Sequence, residues 1–195
     1  IDPEIGTMAD FQELLAQAHA RGIKVIMDLV VNHTSSQHPW FLSAKQGPES
    51  EYRDYYIWAT PDTDVQRRGP WQQQVWYPAG NSRYYALFWS EMPDLNFNNP
   101  KVREEVKQIA GFWLEQGVDG FRIDAAKHLF EHDPTQRPWE WWQEFSDYVT
   151  SLKPDVYLVG EVWDSTHVVA PYFSAFDSNF NFELAGSILP IVRFG

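Results

Sequence analysis

Three times along its 195 residues, a stretch with apolar residues at helical spacing ends at a turn and passes straight into a short apolar run. The first runs from Thr7 to Arg21 and carries Met8, Phe11, Leu14, Leu15 and Ala18, with an N-cap residue in Thr7 and Gly22 where a helix C′ residue belongs. Ile23 to Val31 (IKVIMDLVV) follows directly. The second opens at Asn99-Pro100, has Val102, Val106, Ile109, Ala110, Trp113 and Leu114 as its stripe, and ends at Gly117 before the run Val118 to Ile123. The third spans Trp139 to Leu152, after a polar loop with Pro134 and Pro138, and leads to Val156–Gly160 (VYLVG). Nearly continuous apolar runs of strand length suit strands buried on both faces of a parallel sheet. Alternating helix and strand then implies an α/β fold, a parallel sheet or barrel with right-handed crossovers. The sequence predicts one more strand over Phe176 to Leu184 and the start of a helix from Ala185 to Phe194.

Between the first and second of these units the periodicity dissolves. Residues 34–92 hold Trp40, Tyr52, Tyr55, Tyr56, Trp58, Trp71, Trp76, Tyr84, Tyr85, Phe88 and Trp89 among Gly, Pro, Ser and Asp. That aromatic density argues against a disordered linker, and a structureless loop of this length is improbable in a compact domain, so an inserted subdomain is expected. Aromatic residues make up 16% of the chain, with ten Trp, and flat rings of this kind stack on the C–H faces of sugars. A formal charge of −12 argues against a nucleic-acid partner, because phosphate binding needs a basic surface. No cysteine excludes a disulfide framework and a thiolate metal site. No apolar run is long enough to span a membrane. Ile1-Asp2-Pro3 shows no initiator Met, basic n-region or apolar h-region, so no targeting segment is expected and both ends read as cuts through a longer polypeptide.

In a parallel α/β fold the C-terminal strand ends share one rim, where ligands bind. Here that rim collects charge. The first run contains Asp28 and is followed by Asn32-His33. The second ends in Arg122, Asp124, Lys127 and His128, and the third in Glu161. Arg122 and Asp124, at i and i+2 on a strand, face the same way, and an arginine beside a carboxylate favours the ionised form that a nucleophile requires. Taken alone, this pair is equally a structural ion pair. A buried Asp28 would need a cation, and Arg122 is the nearest on the rim. Glu161, flanked by Val162 and Trp163 with no basic neighbour in sequence, suits a proton donor, although a Glu at a strand end is otherwise ordinary. Two carboxyl groups on neighbouring strand ends are what glycoside hydrolysis needs.

Four separated stretches, in order, resemble the α-amylase family of retaining glycoside hydrolases (glycoside hydrolase family thirteen): Asp28-Leu29-Val30-Val31-Asn32-His33, Met92-Pro93-Asp94-Leu95-Asn96, Gly120-Phe121-Arg122-Ile123-Asp124-Ala125-Ala126-Lys127-His128 and Gly160-Glu161-Val162-Trp163. The resemblance implies a partial TIM (β/α)8 barrel, about strands three to six, formed by residues 1–33 and 93–195, with 34–92 as the inserted domain B. It implies Asp124 as the nucleophile and Glu161 as the acid/base. His33, Arg122, Lys127 and His128 would bind or position substrate. Asn32 and the His128 backbone carbonyl would ligate a calcium ion, for which Asn32 as a turn-forming residue is the alternative, and no organic cofactor is implied. The implied activity is retaining cleavage of α-1,4-glucosidic bonds in starch or maltooligosaccharides. An α-glucosidase, a cyclomaltodextrinase or neopullulanase, or a glucosyl-transferring relative are the alternatives, and a non-catalytic barrel acting as a binding module is the alternative of another class. The family's third carboxylate has no counterpart before residue 195, and strands one, two, seven and eight are absent, so residues 1–195 alone are expected to be inactive. Oligomeric state and compartment are open.

Overall fold

The computed structural model describes residues 1–133 and 135–194, so Pro134 and Gly195 lie outside the described residues, as do the side chains of 189, 190 and 194. In chain order the elements are α1 (Met8–His19), β1 (Ile26–Leu29), α2 (Pro39–Ala44), β2 (Trp76–Ala79), β3 (Ser82–Tyr85), α3 (Pro100–Glu115), β4 (Gly120–Ile123), α4 (Pro138–Leu152), β5 (Tyr157–Gly160), α5 (Thr166–Val169), β6 (Ser178–Asn179) and α6 (Phe182–Phe194). They fall into two compact units. One comprises Ile1–Leu29, Lys107–Lys127 and the chain from Trp139 onward, and the other Val30–Val106 with His128–Pro138.

The first unit is built on a four-stranded sheet in the order β1-β4-β5-β6, with every pairing parallel. Helices separate successive strands, as parallel connections require. This is the parallel α/β sheet that the alternating pattern implied, and it agrees with the partial barrel that the resemblance implies. Thr7 caps α1 through a capping box with Asp10. Gly22 and Gly117 take positive φ where α1 and α3 turn into their strands. β4 is central, and Phe121 and Ile123 are buried, as are Trp142, Phe145 and Val149 on α4. Trp142 packs edge-on to Phe145 at 5.6 Å from the Phe176 ring on its other side, and its indole N–H donates to the Ala126 carbonyl at 2.8 Å.

Two sequence expectations are corrected in this unit. The strand expected over Ile23 to Val31 is limited to Ile26–Leu29, and it lies at the sheet edge, paired only with β4. An edge strand keeps one side open, so the Asp28 side chain is 58% exposed instead of buried. The strand expected over Phe176 to Leu184 is reduced to two residues. Asn181 accepts the Leu184 N–H at 2.8 Å and starts α6 at Phe182, a helix signal that outcompetes the extended reading.

The second unit contains all of residues 34–92 together with 30–33, 93–106 and 128–138. It is ordered by an antiparallel β2–β3 hairpin turned at Gly80, and its core gathers Ile57, Val75, Trp76, Tyr85 and Leu87. Other buried aromatic residues of the insertion pack on one another: Phe41 meets Tyr56 edge-on at 4.9 Å and Tyr84 at 4.8 Å.

Candidate active site

The register of the sheet decides what meets at the rim of the first unit. Asp28 stands opposite Arg122 and Arg122 opposite Val159, while Ile123 stands opposite Gly160. Asp124 and Glu161 are therefore the first residues beyond paired strand ends, at the same level on neighbouring strands. Their backbones are pinned there. The Glu161 N–H donates to the Ile123 carbonyl at 2.9 Å, the Asp124 N–H to the Leu29 carbonyl at 3.3 Å, and the Ala126 N–H to the Glu161 carbonyl at 3.1 Å.

Arg122 ties three carboxylates together. One terminal nitrogen, Nη1, lies 3.1 Å from Asp28 Oδ2 and 3.0 Å from Asp124 Oδ1, and Nη2 lies 2.7 Å from Glu161 Oε2. Burial alone would lower the guanidinium's pKa, but Glu161, Asp28 and Asp124 around it outweigh that and raise it. The expected pairing of Asp28 and Asp124 with Arg122 is thus present. The expected contrast between the two candidate catalytic carboxylates is not. Glu161 has no basic neighbour in sequence but shares the same guanidinium, and the two side chains are exposed alike, 23% for Asp124 and 22% for Glu161. The reason is the β4–β5 register, which brings a residue 39 positions away into contact.

Sequence reasoning missed three features of this rim. Ala125 has φ of +48°, a left-handed conformation that costs a non-glycine residue of order 1–3 kcal/mol, and it immediately follows Asp124. Gly160 cannot be replaced without displacement, since a Cβ there would meet Phe176 Cδ2 at 2.3 Å and Asn179 Oδ1 at 2.5 Å. Trp163, 69% exposed, stacks flat on Phe182 with ring centroids 4.7 Å apart. None carries a local signature except Trp163, which the aromatic count could have marked. Lys127 donates to Asp164 at 2.8 Å and to the Trp163 carbonyl at 2.9 Å, and this contact holds Asp164 below the usual carboxylate range.

The remaining sequence candidates belong to the second unit. His33 bridges to Asp94 in the backbone and sets its ring 5.5 Å from Phe88. His128 is buried, with Nδ1 2.7 Å from Glu131 Oε1 and its ring beside Trp71 and Phe88 at 5.6 and 5.7 Å. Lys127 and His128, adjacent in sequence, thus turn to different partners in different units. Asn32 is buried, and its side-chain oxygen has no hydrogen-bond partner. Its amide group hydrogen-bonds Asp94, whose carboxyl is fully buried; that burial pushes the pKa well up, against the Leu87 N–H and Asn32, which lower it. An orphaned buried oxygen beside a desolvated carboxylate fits a hard cation in kind. Among the described residues no group of three His, Cys, Asp or Glu gathers as a metal site, so a calcium shell there would draw on at most two such side chains, with backbone carbonyls and water for the rest.

Comparison with known proteins points the same way. The family model for the alpha amylase catalytic domain matches residues 1–189. The chain is 56% identical over 189 residues to Alpha-amylase 3 of Dictyoglomus thermophilum, covering 97% of this chain and 36% of that protein. It is 37% identical over 187 residues to a 4-alpha-glucanotransferase of Thermotoga neapolitana, covering 95% of this chain and 40% of that one. Among solved structures, an alpha-amylase from H. orenii superposes with a TM-score of 0.89 at 53% identity, over 97% of this chain and 39% of its own. The chain therefore spans well under half the length of the relatives it matches.

Proposed function

The chain belongs to the alpha-amylase catalytic-domain family, and from that premise we propose that the full-length protein is an α-glucan hydrolase that cleaves α-1,4-glucosidic bonds in starch or maltooligosaccharides with retention of configuration. The observation that carries this reading is the single guanidinium of Arg122 bridging Asp124 and Glu161 at paired strand ends. One guanidinium touching both fits the close spacing, roughly 5–5.5 Å, at which one carboxylate attacks while the other transfers the proton.

In this reading Asp124 is the nucleophile. Arg122 donates to its carboxylate and fixes its direction, and the backbone bond to Leu29 holds it at the rim. Glu161 donates a proton to the leaving sugar oxygen, then takes one from the incoming water as that water opens the glycosyl ester on Asp124. To hold that proton at the start of the cycle, Glu161 must part from the Arg122 nitrogen, so a bound sugar that separates the two prepares the acid. Trp163 on Phe182 supplies an exposed aromatic face two residues from Glu161, suited to stacking a sugar ring. The resemblance assigns His33 and His128 to substrate, and Asn32 with the His128 carbonyl to calcium. The buried unpaired oxygen of Asn32 supports the second assignment. A calcium ion there would supply fixed charge and order to the second unit.

Substituting the two carboxylates in the full-length protein separates their roles. Glu161→Gln should lose on the order of 10²–10⁴ in kcat/KM on starch yet largely keep kcat/KM, which reports the first step, on an aryl α-maltoside whose leaving group needs no proton, whereas Asp124→Asn should lose both. Equal losses on both substrates for Glu161→Gln would remove it from the acid role. The 37% identity to a 4-alpha-glucanotransferase supports a second reading, in which a sugar hydroxyl replaces water in the second step. Longer maltooligosaccharides appearing from maltotriose would favour it.

A further inference from the structure

The second unit contains a pocket of about 190 Å³ lined by three arginines, Arg67, Arg68 and Arg83, with Gln66, Gln74 and Trp76. The chain as a whole has 27 Asp and Glu against 15 Lys and Arg, so three arginines lining one pocket run against its composition. None of the three forms an ion pair with a carboxylate among the described residues. Arg67 donates instead to the Glu131 backbone carbonyl at 3.2 Å. The carboxylate next in sequence, Asp64, turns its oxygen to the Gln66 N–H at 3.0 Å.

The backbones carrying these side chains are fixed. Arg83 lies on β3, opposite Pro78 of β2, and its carbonyl accepts the Ala59 N–H at 2.9 Å. Arg68 bridges to Gln74 across a tight loop, in which the Gly69 N–H donates to the Gln73 carbonyl at 3.0 Å and Gln72 takes a positive φ of 63°. The Gln73 side chain locks that loop from inside, accepting the Trp71 N–H at 2.9 Å and donating to the Leu87 carbonyl at 2.9 Å. A rigid frame that holds like charges together around a cavity is stabilised by an anion entering it.

We propose that Arg67, Arg68 and Arg83 form a binding site for a phosphate group, a chemistry shared by inorganic phosphate and a phosphorylated saccharide. Planar guanidinium forks match the oxygens of phosphate in pairs, and the cavity has room for the group with several waters at about 30 Å³ each. The Gln66 amide stands in the same lining, and Gln74, which gives one N–H to the Trp76 carbonyl at 2.7 Å, keeps a second for a phosphate oxygen. The site lies wholly within the second unit and does not depend on the glucan reading.

Isothermal titration of the full-length protein with inorganic phosphate, at ionic strength held constant with chloride, tests this. Saturable binding is expected, weakened at least tenfold by Arg68→Ala/Arg83→Ala and unchanged by Arg21→Ala, which alters a cation in the turn after α1. Should the double alanine variant fail to melt cooperatively, Arg68→Lys/Arg83→Lys keeps the charge and removes the forks, and is expected to bind several-fold more weakly. Glucose should not bind at this site, so phosphate and glucose heats should be independent. Glucose 6-phosphate binding more tightly than phosphate would support a phosphorylated saccharide as ligand, and equal binding would support phosphate itself. No saturable phosphate binding, or binding unaltered in both double variants, would overturn the proposal.

Discussion

Arg122 decides the chemistry of the rim, because among the described residues it is the cation that Asp28, Asp124 and Glu161 all touch. Lysine is a point charge and cannot bridge two carboxylates in one plane. Arg122→Lys in the full-length protein should therefore lower kcat on maltooligosaccharides by on the order of 10²-fold with a smaller change in KM, since orientation rather than charge is lost. An unchanged kcat would show that the fork is dispensable. Asn32 makes a second claim at this scale. If its orphaned oxygen ligates calcium, chelation should lower the melting temperature of the full-length protein by several degrees, and Asn32→Ala should melt lower already and ignore the chelator. Melting that is insensitive to chelator would leave the oxygen to a water. The Arg122–Asp124 pair was legible in the sequence, because strand alternation places i and i+2 on one face, whereas the Asp28–Arg122 pair was reached from a burial of Asp28 that the edge strand does not provide. The Glu161–Arg122 contact was not legible, because it depends on which residue of β5 stands beside Arg122, and no local pattern encodes inter-strand register.

At the scale of elements, β4 carries function at one end and stability at the other. Beyond its C-terminal end stand Asp124 and the strained Ala125. Just before its first residue, buried Asp119 accepts from Lys24 at 3.0 Å, Lys153 at 3.1 Å and the Val25 N–H at 2.8 Å, and pairs with His19 at 2.7 Å. Burial would raise its pKa, but these four partners more than reverse that and hold it far below the usual carboxylate range. A depressed carboxylate contributes its stability above the unfolded-state value near 4 and loses it as the pH falls toward the folded value. Asp119→Asn should accordingly cost about 3 kcal/mol at pH 7 and flatten the acid limb of a stability-versus-pH curve measured by urea unfolding. An acid limb identical to wild type would contradict this node. Helices α1, α3 and α4 and the central strand were readable from caps, apolar stripes and Gly turns. The Asp119 node was not, because its partners come from α1, the turn after it and the loop before β5, and sequence spacing is silent on such meetings. The short β6 was misread because Asn181 acts as a helix cap within a stretch of strand-like composition.

For the whole molecule, family membership and the parallel sheet support each other. The family model spans residues 1–189, and the neighbouring strands β1, β4 and β5 carry Asp28 and Arg122 or lead into Asp124 and Glu161, in the order that the motifs demand. The sheet in this chain has an open edge at β1, with Ile26 and the preceding Ile23 exposed, and α6 exposes Leu184, Ile188, Ile191 and Val192. Apolar faces of this extent call for further packing. No helix among the described residues is long and apolar enough to cross a membrane, and a net charge of −12 disfavours a polyphosphate backbone as partner. The measurement that bears most directly on the central claim is trapping of the covalent intermediate with a 5-fluoro-α-glucosyl fluoride, followed by mass spectrometry of the digested full-length protein. The expected result is one added fluoroglucosyl mass on the peptide containing Asp124, at the carboxylate itself. An adduct on Glu161 or on any other residue, or turnover that continues with no adduct formed, would contradict a nucleophile at the end of β4.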